Sequence, residues 1–370
     1  MCRKRKIMQL EEKIEKISPT KKRKRYNKLD LYLRSYINKI PRGYKYMTED
    51  KLEEELKKAF QKMLTIEDII KLKNHEYIND FLKFEKIKKL IRIIPVLEEF
   101  NKIIGMKNVK EKLFQTISYF FHGCNEKEEL NHVIITGPPG VGKTTIAKLL
   151  GLFYLSLNFL KSTKFIHAKR SDLIGEYCGH TAIKTQKKMD EADGGVLFID
   201  EIYSLGNKEK NDVFTKECID TINQNLTEKQ GNMLCIIAGY EKEIDECFFS
   251  YNPGLKRRFP IEFNITGYSA KELFQIFKKM ANDKKWFLDK SITLKIFEKN
   301  YKEFKYYGGD MQILFQNAKQ HYSLRLMKES LLINSGKKVL ILADIKEGIK
   351  EILKNRKANK ISKIVSQMYL

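Results

Sequence analysis

The sequence predicts an α/β protein: a parallel sheet with helices on both faces, followed by a small all-helical domain and preceded by a basic helical N-terminal extension. Three observations predict it. Short β-rich apolar runs at 133–136, 164–167, 196–200 and 234–238 alternate with helix-length segments, the order expected of parallel strands joined by crossover helices. After Gly267 the strand signals fade and helical periodicity takes over. Before residue 98, basic clusters alternate with amphipathic helical patterns. The expected domains are therefore residues 1–98, 99–266 and 267–370.

A chain of 370 residues that is 42% hydrophobic can fill a core of this size, which excludes an extended tail. Its formal charge is +24, unevenly spread. Residues 1–47 carry 16 Lys and Arg against four acidic residues, so half the excess lies in this first stretch. Cys2, Cys124, Cys178, Cys218, Cys235 and Cys247 form no C-x-x-C pair, which argues against a zinc site or a disulfide framework and for a reducing compartment. The most apolar long segment, near 149–160, is interrupted by Gly151, Ser156 and Asn158 and is too short to span a bilayer. The N-terminus is charged but lacks the apolar run of a signal peptide. These features predict no membrane partner and a place in the cytoplasm or nucleus.

Taken in order, the basic arm comes first. Arg3-Lys4-Arg5-Lys6 and Lys21-Lys22-Arg23-Lys24-Arg25 suit nucleic-acid phosphates, an anionic surface or a nuclear-import receptor, and equally a solubilising tail. Tyr26, Tyr32, Tyr36, Tyr44 and Tyr46 follow the second cluster and suit either stacking on bases or packing in a helix. Leu52, Leu56, Ala59, Phe60 and Met63 then recur at helical spacing within 49–63. Beyond the strand region, helices are expected over 268–280, 292–304 and 311–327, with Gly308-Gly309 breaking the second from the third and Asp310 as a helix N-cap.

The strongest chemical signal is Gly137-Pro138-Pro139-Gly140-Val141-Gly142-Lys143-Thr144, which follows the first strand run and, through Thr145 and Ile146, opens a helix. Glycines let backbone N–H groups curl around an anion, and the helix N-terminus adds a favourable dipole. In such a phosphate-binding loop Lys143 reaches the outer phosphates of ATP and Thr144 ligates Mg2+. The second signal is Val196-Leu197-Phe198-Ile199-Asp200-Glu201, a buried strand delivering two acids at its C-terminal end, where open parallel sheets bind ligands. Asp200 is suited to hold Mg2+ through its water shell, and Glu201 to orient or deprotonate the water that attacks the γ-phosphate.

With both motifs placed, the chain resembles AAA+ ATPases of the subgroup containing the red-type rubisco activase and the sporulation protein K type, including forms carried by large DNA viruses. Ile104-Gly105-Met106, Gly175-Glu176-Tyr177-Cys178-Gly179-His180-Thr181, Ile237-Ala238-Gly239-Tyr240 and Asn252-Pro253-Gly254-Leu255-Lys256-Arg257-Arg258-Phe259 carry the resemblance. It covers residues 101–268 closely and the helical part loosely. It implies a homo-oligomeric hexameric ring that pulls a protein substrate through a central pore. Tyr177 matches the aromatic residue of the first pore loop, with Gly175 and Gly179 giving that loop freedom to move; it also reads as a plain turn tyrosine. Arg258, with Arg257 as the lesser candidate, matches the arginine presented to the neighbouring subunit's ATP, though the pair also reads as solvated.

Two positions depart from the family pattern. Most AAA+ proteins place Asn at the end of the fourth strand to help position water, whereas this chain has Gly239-Tyr240. The arginine often found after the glycine turn of the lid has no counterpart in 308–312, and Arg325 lies several turns away. The sequence thus supports a protein-remodelling ATPase first. A nucleic-acid motor using residues 1–47 and an ATP-binding scaffold with little turnover are the competing readings.

Overall fold

Strands that are apolar on both faces can sit only in the middle of a covered sheet, and three of the strands here are of that kind. β1 (Val133–Thr136), β3 (Val196–Ile199) and β4 (Leu234–Gly239) are buried at every residue, whereas β2 (Phe165–Ala168) and β5 (Ile261–Asn264) are partly exposed. The order β2-β3-β4-β1-β5 puts the buried strands at the centre and the others at the two edges, with all pairings parallel. This computed structural model describes residues 47–124, 130–177, 179–206, 212–328 and 338–368, together with Ser35, with side chains to residue 357 in the last segment. The basic clusters near residues 3–6 and 21–25 and the tyrosines that follow them lie outside the described residues, as does Cys178.

Among the described residues the chain divides into two compact units, one of residues 47–137 with Lys143–Ile265, the other of Pro138–Gly142 with Thr266 onward. In the first unit, helices α1 (Glu49–Gln61), α2 (Ile66–Lys71), α3 (Ile78–Phe81), α4 (Glu85–Asn101) and α5 (Lys107–His122) precede the sheet. α4 runs unbroken through residue 98 and packs on α6 (Lys143–Ser156). Its Ile87, Leu90, Ile91, Ile94, Leu97 and Phe100 are buried among the helices packed around it. From Leu149 onward α6 is largely apolar, and every residue from Leu149 to Ser156 is buried, as expected of a helix segment enclosed by other elements. At Gly151 a Cβ would stand 3.0 Å from Val196 Cγ2, so glycine sets how closely α6 approaches β3.

The sheet unit is completed by α7 (Arg170–Leu173), α8 (His180–Glu191), α9 (Val213–Glu228) and α10 (Glu241–Cys247). The strand expected at 164–167 forms one residue later, and that expected at 196–200 ends at Ile199, leaving Asp200 outside the ladder. β5 was not foreseen: Ile261 and Phe263 alternate with Glu262 and Asn264, too short a period-2 pattern to stand out.

In the second unit, α11 (Ala270–Asp283) opens on a capping box, in which the Ser269 hydroxyl accepts from the Glu272 N–H and the Glu272 carboxylate accepts from the Ser269 N–H. α12 (Leu294–Lys299), α13 (Tyr307–Lys328) and α14 (Leu342–Met368) follow, with a two-stranded parallel pair β6 (Phe287–Leu288) and β7 (Val339–Leu340). Phe277, Phe297 and Phe315 meet in its core, and Trp286 lies edge-on to Phe315 and Tyr322. Two expectations are corrected here. Gly308 and Gly309 lie within the first turn of α13, not in a break before it. Asp310 is likewise inside the helix: fully buried, it reaches back to accept from the Tyr306 N–H at 2.7 Å and pairs with Arg356 at 2.6 Å. A buried carboxylate needs such a cation, and the long-range Arg356 was invisible to local reasoning.

One buried histidine makes the sheet unit sensitive to acid. His132, just before β1, accepts from the Cys235 N–H through Nδ1 at 3.1 Å, so Nε2 carries the proton and donates to the Leu226 carbonyl at 3.4 Å. Burial, reinforced by the charge of Arg258 and only partly offset by the Leu226 carbonyl, pushes the imidazole down to about 4. The unfolded chain takes up this proton near 6.5, so the contribution of neutral His132 is complete above that pH and lost as pH falls toward 4. We expect acid to remove about 3 kcal/mol of unfolding free energy over this window through this group. Urea titrations at pH 7 and pH 4.5 check this; a His132→Gln variant should show a shallower pH dependence.

Candidate active site

The cluster forms because β1 and β3 end at the same edge of the sheet. β1 passes through Gly137 directly into the loop that starts α6, and β3 releases Asp200 and Glu201. The Thr144 hydroxyl lies 3.3 Å from Asp200 Oδ2, and Asp200 Oδ1 accepts from the Glu201 N–H at 3.1 Å. Lys143 donates to the Gly137 carbonyl at 2.8 Å and is half-buried. Burial lowers the pKa of its ammonium, while the negative charges of Asp200 and Glu201 oppose that shift. Thr145 is half-buried in the first turn of α6.

Glu201 is a non-glycine residue in the left-handed region, at φ 51 and ψ 47. Such a conformation is strained for a residue with a Cβ and recurs where a side chain must be aimed. Three further side chains join the cluster that sequence reasoning left out. His167 Nε2 lies 3.8 Å from Asp200 Oδ2; burial lowers its pKa and the Asp200 charge raises it. Tyr240 lies under Lys143, with the ammonium 5.1 Å from the ring centroid, and Tyr203 stacks on Tyr240 at 5.3 Å. The available signal was the Gly239-Tyr240 departure at the end of β4, together with an aromatic residue two positions after Glu201.

Pro138–Gly142 belong to the second unit, where their contacts are made with the chain after Thr266. Gly140 has φ +75, and a Cβ there would stand 2.1 Å from the Tyr306 carbonyl oxygen. The Val141 carbonyl accepts from the Tyr268 hydroxyl at 2.8 Å. Gly142 is also left-handed, at φ 102.

Tyr177 and Arg258 make their contacts elsewhere. Tyr177 is 66% exposed, its ring edge-on to His180 at 5.5 Å. The Gly175 N–H donates to the Thr181 hydroxyl at 3.0 Å, and a Cβ on Gly175 would stand 2.8 Å from His180 backbone, so this glycine is required for close approach. Arg258 is held within its own chain, donating from Nη1 to the Gly254 carbonyl at 2.9 Å and from Nε to the Thr227 hydroxyl at 3.2 Å, whereas Arg257 is exposed.

Residues 133–266 match the family described as ATPase family associated with various cellular activities (AAA). A cfxQ-like protein of Acanthamoeba polyphaga mimivirus is 40% identical over 286 residues, covering 74% of this chain and 70% of that protein. The chain belongs to the AAA ATPase family. Stage V sporulation protein K of Bacillus subtilis is 37% identical over 206 residues, 54% of this AAA ATPase and 63% of that protein. Protein CbbX of Cereibacter sphaeroides is 34% identical over 200 residues, 52% of this chain and 64% of that protein. The subgroup expected from the sequence is the one these relatives define, and hydrolysis of ATP is the activity that comes with it. Among the described residues no helix is long and apolar enough to cross a membrane.

For this AAA ATPase, Gly140→Ala should distort the loop through both its backbone angle and the Tyr306 carbonyl. Strain of this kind should weaken ATP affinity about tenfold or more, measured with a fluorescent ATP analogue.

Proposed function

We propose that this AAA ATPase works as a hexameric homo-oligomeric ring that remodels a protein substrate by drawing it through a central pore. The observation that carries the nucleotide chemistry is the 3.3 Å approach of Thr144 to Asp200 beside the half-buried Lys143. The loop from Gly137 to Thr145 receives the phosphates, and Lys143 exchanges its bond to the Gly137 carbonyl for the outer phosphate oxygens. The Thr144 hydroxyl and Asp200 carboxylate are the hard oxygen donors that Mg2+ prefers, and Mg2+ is commonly held by one or two carboxylates with substrate phosphates. Among the described residues no group of three or more His, Cys, Asp or Glu forms a cage of its own, which accords with a metal completed by phosphate. Held by Thr144 and Asp200, Mg2+ would supply neutralisation of phosphate charge. Glu201 orients or deprotonates the attacking water.

Arg258 completes the site of the neighbouring subunit, and its tether to Gly254 and Thr227 would present it from a fixed position. The exposed ring of Tyr177 grips the client by apolar contact. A second reading rests on the charge of residues 1–47, which suits nucleic-acid phosphates; stimulation of turnover by DNA or RNA, steep in salt and lost on deleting those residues, would favour it.

Glu201→Gln should reduce hydrolysis at least about a hundredfold while ATP binding persists, and Lys143→Ala should lose binding itself. Turnover per subunit should rise with protein concentration, and Arg258→Ala should lower the plateau by roughly a thousandfold. Concentration-independent turnover would count against a shared site. A pull-down with the Glu201→Gln protein held in ATP should retain a protein client, and Tyr177→Ala should release the client with basal hydrolysis kept.

A further inference from the structure

The end of β4 poses a specific question: what holds Glu201 when the strand supplies Gly239 instead of a polar side chain? Gly239 is buried, and a Cβ on it would stand 2.7 Å from Tyr203 Cδ1 and 3.1 Å from Ile244 Cγ1. The space a side chain would occupy is filled by the Tyr203 ring. That ring lies nearly parallel to Tyr240, at 5.3 Å and 21°, and the Lys143 ammonium lies over the Tyr240 ring at 5.1 Å. Burial first, then the negative charge of the nearby Glu201, pushes the pKa of the Tyr203 hydroxyl up. Contacts thus run from Lys143 through Tyr240 to Tyr203, two residues after Glu201 and close enough to feel its charge.

Glu201 needs such a partner. Its left-handed backbone aims the side chain, but the residue is exposed and its carboxylate retains rotamer freedom unless something fixes it. We propose that Tyr203 is the positioning residue for Glu201, donating its hydroxyl to the carboxylate that handles the attacking water, and that Tyr240 couples this contact to Lys143. The proposal rests on the reading that Glu201 acts on that water. It assigns to two aromatic residues the task that a polar residue on β4 would otherwise perform, and it makes Gly239 a requirement because only glycine leaves room for the Tyr203 ring.

The test is steady-state and single-turnover ATPase kinetics on the full chain at a protein concentration where turnover per subunit has levelled off. Tyr203→Phe keeps the ring and its stack and deletes only the hydroxyl. It should lower kcat about tenfold with KM for ATP and thermal midpoint essentially unchanged, as expected for a lost hydrogen bond to a charged group acting after binding. In the Glu201→Gln background the same change should cause little further loss, because both act through one carboxylate. Gly239→Ala, which displaces the ring from the backbone side, should reproduce the kcat loss. Wild-type kcat in Tyr203→Phe, a loss confined to KM or thermal stability, or a full multiplicative loss on top of Glu201→Gln would each overturn the proposal. Glu201→Gln measured alone separates the two levels: if it turns over normally, the role of Glu201 fails and the positioning role fails with it; if it is inactive while Tyr203→Phe is normal, only the tyrosine assignment falls.

Discussion

The contact on which the site depends joins two residues 56 positions apart, the hydroxyl of Thr144 and the carboxylate of Asp200. Nothing local brings them together. β1 and β3 do not pair directly; each pairs with β4 between them, in parallel, so that all three release their chains at one edge. Parallel pairing requires crossover helices, and those helices require apolar strands on both faces, which is the composition of β1, β3 and β4. The placement of a handful of polar atoms is thus a by-product of how the apolar sheet closes.

At that edge, geometry is held by sterics as much as by charge. Gly151 sets the distance of the helix that begins with Lys143 from β3, and Gly239 leaves the space that an aromatic ring occupies. Glu201 stands in a left-handed conformation that only a well-packed surrounding would maintain. Ile199, Ile202 and Leu205, all fully buried on either side of the acidic pair, supply that surrounding. The polar residues are few and the apolar residues around them are many, so packing fixes the site together with its hydrogen bonds.

Much of this was legible in the sequence. Four of the five strands, the phosphate loop and the acidic pair were marked by short apolar runs with glycine or acid at a fixed end, and such signals are local. What escaped depended on residues distant in the chain. β5 is a four-residue edge strand whose partner, β1, precedes it by more than a hundred residues. Asp310 looked like a helix cap because its neighbours are glycines; its ion pair with Arg356 lies 46 residues away. Tyr203 and Tyr240 belong to different elements and meet only once β3 and β4 are side by side. The departures from the family pattern at 239–240 were visible, but their meaning required the fold.

Trp286 is the sole tryptophan of the chain, half-buried edge-on to Phe315 and Tyr322, with the Lys338 ammonium 5.6 Å from its ring. Indole emission excited at long wavelength therefore originates from one place, among α11, α13 and β7 of the helical unit. The protein carries its own optical gauge of that region, so changes there can be followed in the unlabelled chain without a signal from the sheet.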